Sequence, residues 1–198
     1  MKDDDDARSR SGFEPIGPLE TERLLLRTFV AGDLEAILAM YGHPGVVRYL
    51  YEEPLTREQA GAAMDKRLGM HAIRAEGDGL RLAALLKTTR ELIGDCSLFW
   101  LPGEHRQGEI GFVFDPAHQG HGYATEAARV LLRIAFEELG LHRVVGRAEA
   151  RNTASARVLE KLGMRREAHL VENEWVKDEW QSELVYAILD RDWLHARS

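Results

Sequence analysis

The sequence predicts one α+β domain built on a mixed sheet: mostly antiparallel strands, one parallel pair, and helices on the flanks. Three observations carry that expectation. Between Leu80 and Phe114 three strand-like runs are separated only by short turns, the signature of an antiparallel meander. After Phe114 a helical pattern intervenes before the next strand, and a crossover of that kind makes one neighbouring pair parallel. Finally, no repeat or long linker divides the 198 residues, 44% of them hydrophobic, which suffices for one full core.

Residues Met1–Pro18 are polar and punctuated by Gly and Pro, and read as a disordered tail or a cloning scar. A single domain is expected over residues 19–195. "LETERLLLRTF" (Leu19–Phe29) is a first strand. Asp33 caps a short helix, "DLEAILAMYG", that stops at Gly42. A second helix starts at the N-cap Thr56, with Glu58 and Gln59 in its first turn. The strand runs follow: Leu80–Lys87, Glu91–Trp100 and Gly108–Phe114. In the next helix Ala124, Ala127, Ala128, Leu131, Ile134 and Ala135 share one face, and Gly140 closes it. "HRVVGRAEA" is a strand and "NTASARVLEKLG" a helix between an Asn cap and a Gly stop. "HLVENEWVKDEWQSELVYAIL" holds two last strands around a "KDEW" turn.

The formal charge is −7, of which Lys2 with Asp3–Asp6 supplies −3. An acidic body disfavours a nucleic-acid partner and permits a cationic substrate. The single cysteine, Cys96, forbids an internal disulfide and suits a reducing cytoplasm. No apolar run approaches the ~20 residues of a membrane helix.

The decisive stretch is Asp115–Val130, "DPAHQGHGYATEAARV", where a strand enters a helix through Gly120 and Gly122. A helix N-terminus offers unpaired N–H groups and partial positive charge, and glycines before it allow close approach to an anion. The pattern alone suits either a phosphate cradle or a plain tight turn. A P-loop would end in Gly-Lys-Ser/Thr, whereas Gly122-Tyr123-Ala124 stands here. A dinucleotide loop would need a third Gly or Ala where Thr125 is found, and an acid near Leu141–His142.

"QGHGYA" instead fits Gln/Arg-x-x-Gly-x-Gly/Ala at Gln119, Gly122 and Ala124, and resembles the acetyl-CoA pyrophosphate loop of the GNAT family of N-acetyltransferases. "EIGFVFDPAHQGHGYATEA" and "ARNTASARVLEKLGMRREA" resemble the two signatures of its RimJ/RimL-like branch. "LETERLLLR" and "ELVYAILDRDW" resemble that branch's first strand and ending. The likeness runs from about Leu19 to Trp193. It implies the GNAT fold, with the parallel pair splayed apart to admit the pantetheine arm.

Acetyl-CoA, as cosubstrate, would lie along Phe112, Val113 and Phe114. Its pyrophosphate would rest on Gln119, Gly120, His121, Gly122, Tyr123, Ala124 and Thr125, with Asn152 and Ser155 near the pantetheine end. Asn152 also reads as a simple N-cap. The reaction implied is direct attack of a primary amine, from a peptide N-terminus or a small molecule, on the thioester in a ternary complex. That attack needs a base, for which the resemblance offers Glu109, and an oxyanion donor, for which a backbone N–H of the bound strand serves. Many family members carry a tyrosine acid where this chain has Leu159, and Ser155 is the substitute. Each has a bland alternative: a strand-end ion pair for Glu109, an ordinary first-turn serine for Ser155. The rival function is a non-catalytic acyl-CoA-binding or sensing module.

His118 and His121 lack the context of a metal pair, so no metal is expected. Cys96 reads as a small buried residue. Trp100, Trp175 and Trp180 are candidates for pocket lining or packing, and Glu172, Glu174, Asp178 and Glu179 make the last hairpin acidic. The branch resemblance implies a homodimer, and the lone cysteine with no signal-like or membrane segment suits a cytoplasmic protein.

Overall fold

A computed structural model describes residues 12–103 and 105–195. Eight strands form one sheet in the order β1-β2-β3-β4-β5-β6-β8-β7. β1 (Leu19–Glu20) and β2 (Leu24–Thr28) form a tight hairpin rather than the single strand expected. The cause is Thr21, whose hydroxyl accepts the Leu24 N–H at 2.9 Å and reverses the chain. The meander β3 (Gly79–Leu86), β4 (Leu92–Trp100) and β5 (Gln107–Phe114) is antiparallel throughout. β5 and β6 (Arg143–Glu149) are the one parallel pair. β7 (Arg165–Val176) and β8 (Glu179–Leu189) close the sheet as a hairpin. They turn at Lys177 and Asp178, both at positive φ, as a two-residue hairpin turn requires.

Helices cover both faces. α4 (Tyr123–Arg133), extended by one wide turn over Ile134–Glu138, and α5 (Thr153–Lys161) pack on one face with Leu24, Leu26, Leu82, Ile110 and Phe114. On the other face, α1 (Leu34–Tyr41), α2 (Pro44–Val47) and α3 (Arg57–Gly69) bury Ile37, Met40, Val47 and Met64 against Leu25, Ala83 and Leu85. Alternation along β2 and β3 thus feeds two cores. α3 starts as expected, with the Thr56 hydroxyl accepting from Gln59 N–H and the Gln59 side chain returning to Thr56 N–H.

Asp33 departs from expectation. Its carboxylate accepts from Val30 N–H and both terminal nitrogens of Arg27 rather than capping α1. α2 and α6 (Asp190–His195) were not anticipated; both are short and lack a full amphipathic period.

Buried Asp95 of β4 fastens α1 and α3 to the sheet. One of its oxygens accepts from Tyr41 Oη at 2.8 Å, Arg67 Nε at 2.9 Å and Arg81 at 2.7 Å. At the front of the chain, Phe13 exchanges backbone hydrogen bonds with Ile73 and packs on the larger core. The fold therefore reaches back at least to Phe13, ahead of the boundary at Leu19. The rest of the expected tail, residues 1–11, lies outside the described residues.

Candidate active site

The parallel seam is short. β5 and β6 pair from Gln107↔Arg143 to Ile110↔Gly146, and the register ends there. Gly111–Phe114 and Arg147–Glu149 run on without facing partners, so a cleft opens inside the sheet. Gly146 admits the cause of the opening. A Cβ at that position would fall 2.5 Å from Leu159 Cδ2, so α5 presses its buried Leu159 onto the point of divergence. The free stretch from Ile110 to Phe114 spans roughly 13 Å. Ile110, Phe112 and Phe114 face α4 and α5, whereas Val113 faces the α1–α3 core. Glu109 shares the parity of Val113 and opens to that second face.

The glycine stretch stands at the open end. Pro116–His118 makes one tight turn, and Gly120 and Gly122 both adopt φ of 82°, with Gly122 as N-cap of α4. An L side chain is strained at that φ, which is why glycine stands there; the space around Gly120 is open. The Gln119 N–H bonds to Pro116 O, and its Nε2 bonds to Phe114 O at 3.1 Å. Gln119 therefore shapes the loop. Among the described residues the backbone N–H groups of Gly120–Thr125 meet no acceptor. Consecutive unspent amides at the start of an eleven-residue helix have the chemistry to receive an anion.

Across the cleft, β6 leads into α5. The Asn152 Oδ1 accepts from Ser155 N–H at 3.1 Å, so Asn152 fills the N-cap role. Ser155 is half-buried in the first turn of that helix. Leu159, one turn later, is packed on Gly146 and offers no proton.

Glu109 lies beside the closed end of the cleft. Burial pushes its carboxyl above the ordinary carboxylate value, the Arg147 guanidinium pulls it down, and Glu183 adds to the rise. Arg147 Nε stands 3.3 Å from Glu109 Oε2, and Arg147 also donates to the buried Glu183 at 2.8 Å. From the α2–α3 loop, Tyr51 donates to Glu174 of β7 at 2.7 Å. Arg147, Glu183 and Tyr51 were missed in the sequence. Arg147 and Glu183 carry no motif, only strand parity, and Tyr51 comes from a loop with no periodic signal.

The remaining candidates separate clearly. Trp175 and Trp180 meet edge to face at 5.4 Å on the last hairpin and are 59% and 57% exposed. Trp100 sits opposite Gly108, away from the open end. Cys96 is fully buried, and burial pushes its thiol up, so it is no nucleophile. His118 lies 3.6 Å from Glu91, and the His121 ring lies 5.8 Å from that of Tyr123. Among the described residues no group of three or more His, Cys, Asp or Glu side chains could hold a metal ion. No described helix is long and apolar enough to cross a membrane.

Comparison with known proteins agrees with this geometry. The acetyltransferase (GNAT) domain family matches residues 23–165. The uncharacterized N-acetyltransferase YnaD of Bacillus subtilis is 35% identical over 175 residues, covering 88% of this chain and 98% of that protein. A GNAT-family acetyltransferase structure from Bacillus anthracis superposes with a TM-score of 0.78 at 34% identity, over 88% of this chain and 99% of that one. The Vibrio cholerae spermidine N-acetyltransferase, solved in complex with CoA and spermine, has a TM-score of 0.74 at 25% identity, over 88% of this chain and 99% of that one.

Proposed function

The chain belongs to the GNAT acetyltransferase family, an acetyl-CoA-dependent class, and from that premise we propose that it acetylates the primary amine of a cationic acceptor, with Glu109 as base. The observation that carries the proposal is the cleft between β5 and β6. The unspent amides of Gly120–Thr125 stand at its open end and Glu109 at its closed end.

Acetyl-CoA supplies an activated acetyl thioester. The amides of Gly120–Thr125 bind its pyrophosphate, and the free edge of Gly111–Phe114 lines the arm. A backbone N–H at the closed end donates to the acetyl oxygen as negative charge develops there. Glu109, its carboxyl raised by burial, takes the proton that the attacking amine must shed. The Ser155 hydroxyl donates a hydrogen bond to the departing sulfur. The buried cysteine leaves no thiol to carry an acyl group, which favours direct transfer.

Glu174 and Glu183 give the acceptor side a negative character that Arg147 offsets in part. A free amine carrying a second positive charge suits that mouth; polyamines and peptide N-termini rich in Lys or Arg are the two classes to compare. The test is a mass-shift screen of polyamines, amino acids and N-terminal peptides with acetyl-CoA. Acetylation of none of them by protein that binds coenzyme A would assign the chain to the rival binding module.

A homodimer is part of the same reading. Leu170, Val171, Trp175 and Trp180 leave an apolar strip exposed on the β7–β8 hairpin, at the sheet edge. Sedimentation should give a dimer at micromolar protein and a monomer after Trp175→Ser with Trp180→Ser. A monomeric wild type would remove the assignment.

A further inference from the structure

One side chain outside the glycine stretch grips it more completely than any residue within it. Arg23, at the start of β2, reaches α4 across nearly a hundred residues of sequence. Its NH1 donates to His121 O at 2.9 Å. Its Nε and NH2 donate to Glu126 Oε2 at 2.8 and 2.7 Å. The Glu126 Oε1 accepts from the Arg23 backbone N–H at 2.8 Å and from the Thr21 hydroxyl at 2.5 Å. The guanidinium lies 4.7 Å from the Tyr123 ring centre, and its NH2 stands 3.5 Å from where a Cβ on Gly122 would be. Arg23 thus touches His121, Gly122, Tyr123 and Glu126, both sides of the helix entrance.

Two physical consequences follow. Gly120 and Gly122 lower the steric cost of the loop conformation, but they also widen the range of conformations open to it. A fork-shaped cation bonded to the central carbonyl and to the first helical turn removes that freedom before any ligand arrives. Charge is the second. A carboxylate in the first turn favours the helix but repels a phosphate bound at the same N-terminus. Arg23 cancels that repulsion without taking a loop amide.

We infer that Arg23 is a positioning residue of the donor site. Held by Glu126, which the Thr21 hydroxyl fixes in turn, it sets the loop Gly120–Thr125 in its phosphate-binding shape and neutralises the carboxylate beneath it. This rests on reading that loop as the coenzyme A site. It adds a part that the loop itself does not contain.

The test uses coenzyme A as probe, with calorimetry and amide hydrogen exchange on wild type, Arg23→Met and Arg23→Lys. In the wild type, coenzyme A should slow exchange across Gly120–Thr125. Arg23→Met should bind coenzyme A about tenfold more weakly. In the free variant the first bonded amides of α4, from Glu126 N–H onward, should exchange faster while the first turn of α5 is unchanged, and bound coenzyme A should restore their protection. Arg23→Lys keeps the charge but cannot bridge both partners, and should fall between. Affinity within about twofold of wild type, with the loop protected by coenzyme A, would overturn the inference and leave the loop's role intact. Weaker binding without faster exchange at the start of α4 would reduce Arg23 to a charge effect and overturn its positioning role. Faster exchange across the whole domain would reduce it to a general stability contact. If coenzyme A fails to protect the wild-type loop, the phosphate assignment falls and this inference with it.

Discussion

In the reading proposed above, the phosphate cradle on the donor side of the cleft comes from one continuous stretch, Asp115–Thr125, and would work through backbone amides. The acceptor side takes Tyr51, Glu109, Arg147, Glu174 and Glu183 from one loop and four strands, and works through side chains. A backbone site needs only a shape, so its sequence requirement is local: glycines where φ is positive and a helix directly after. A side-chain site needs atoms converging in space, and the sheet brings them together from residues more than a hundred positions apart.

The most damaging way to break the comparison is Gly122→Val. A β-branched residue is strained at φ of 82°, and relieving the strain must move the cradle. Coenzyme A affinity should fall on the order of 10²-fold or more in calorimetry, while the folded circular dichroism spectrum persists. His121→Ala should change it far less, because the backbone there does the binding. Unchanged affinity in folded Gly122→Val would remove the cradle.

Glu109→Gln probes the other side. With an acceptor in hand, kcat should drop on the order of 10²-fold while coenzyme A affinity stays near wild type. Because burial raises the Glu109 carboxyl, the base form is gained only above the ordinary carboxylate range. Wild-type kcat/KM should climb with pH on its acid limb, with the inflection displaced upward from that of an ordinary carboxylate. Turnover of the variant at the wild-type rate across pH would rule out Glu109 as base.

Ser155→Ala should cost roughly tenfold in kcat, the scale of one lost hydrogen bond. The loss should shrink with an acyl donor whose thiol is a better leaving group. Equal losses for both donors would return Ser155 to an ordinary place in the first turn of α5.

The smallest effect is on stability. A carboxyl raised in the fold holds its proton more tightly there than in the unfolded chain. Its contribution is full below the unfolded value and is lost as pH rises through the folded one. Glu109→Gln should therefore melt slightly above wild type at pH 7, and that margin should vanish toward pH 4. A margin that grows on acidification would reverse the assigned shift.

The same contrast explains what was legible. The meander, the crossover, the glycine entrance, the Asn152 cap and the Thr56 capping box are all patterns within a few residues, and the chain displays them openly. The turn at Thr21 was hidden because "LETERLLLR" is uniformly strand-like, and only the Thr21 hydroxyl bonding to Leu24 N–H divides it. Asp33 looked like a cap because Asp is a good one, but Arg27 and the Val30 N–H take its carboxylate instead. Arg147 and Arg23 carry no local signal in the sequence. Their partners Glu183 and Glu126 stand far along the chain, and no periodicity links them.

The seam also bears on how the molecule holds together. Among the described residues, four residue pairs, Gln107↔Arg143 to Ile110↔Gly146, with backbone bonds from His142 and Arg143 to Arg106 beside them, join β1–β5 to β6–β8, and the α4–α5 layer spans the join from one face. A thioester lying in the unpaired half would act as a suture between two rafts, bonding to one and packing on the other. Any molecule that binds only the folded seam adds its binding energy to the join, about 2.7 kcal/mol at a hundred times its Kd. A protein loaded in that way would be mechanically a different object from the free one, its split bridged by the molecule it consumes.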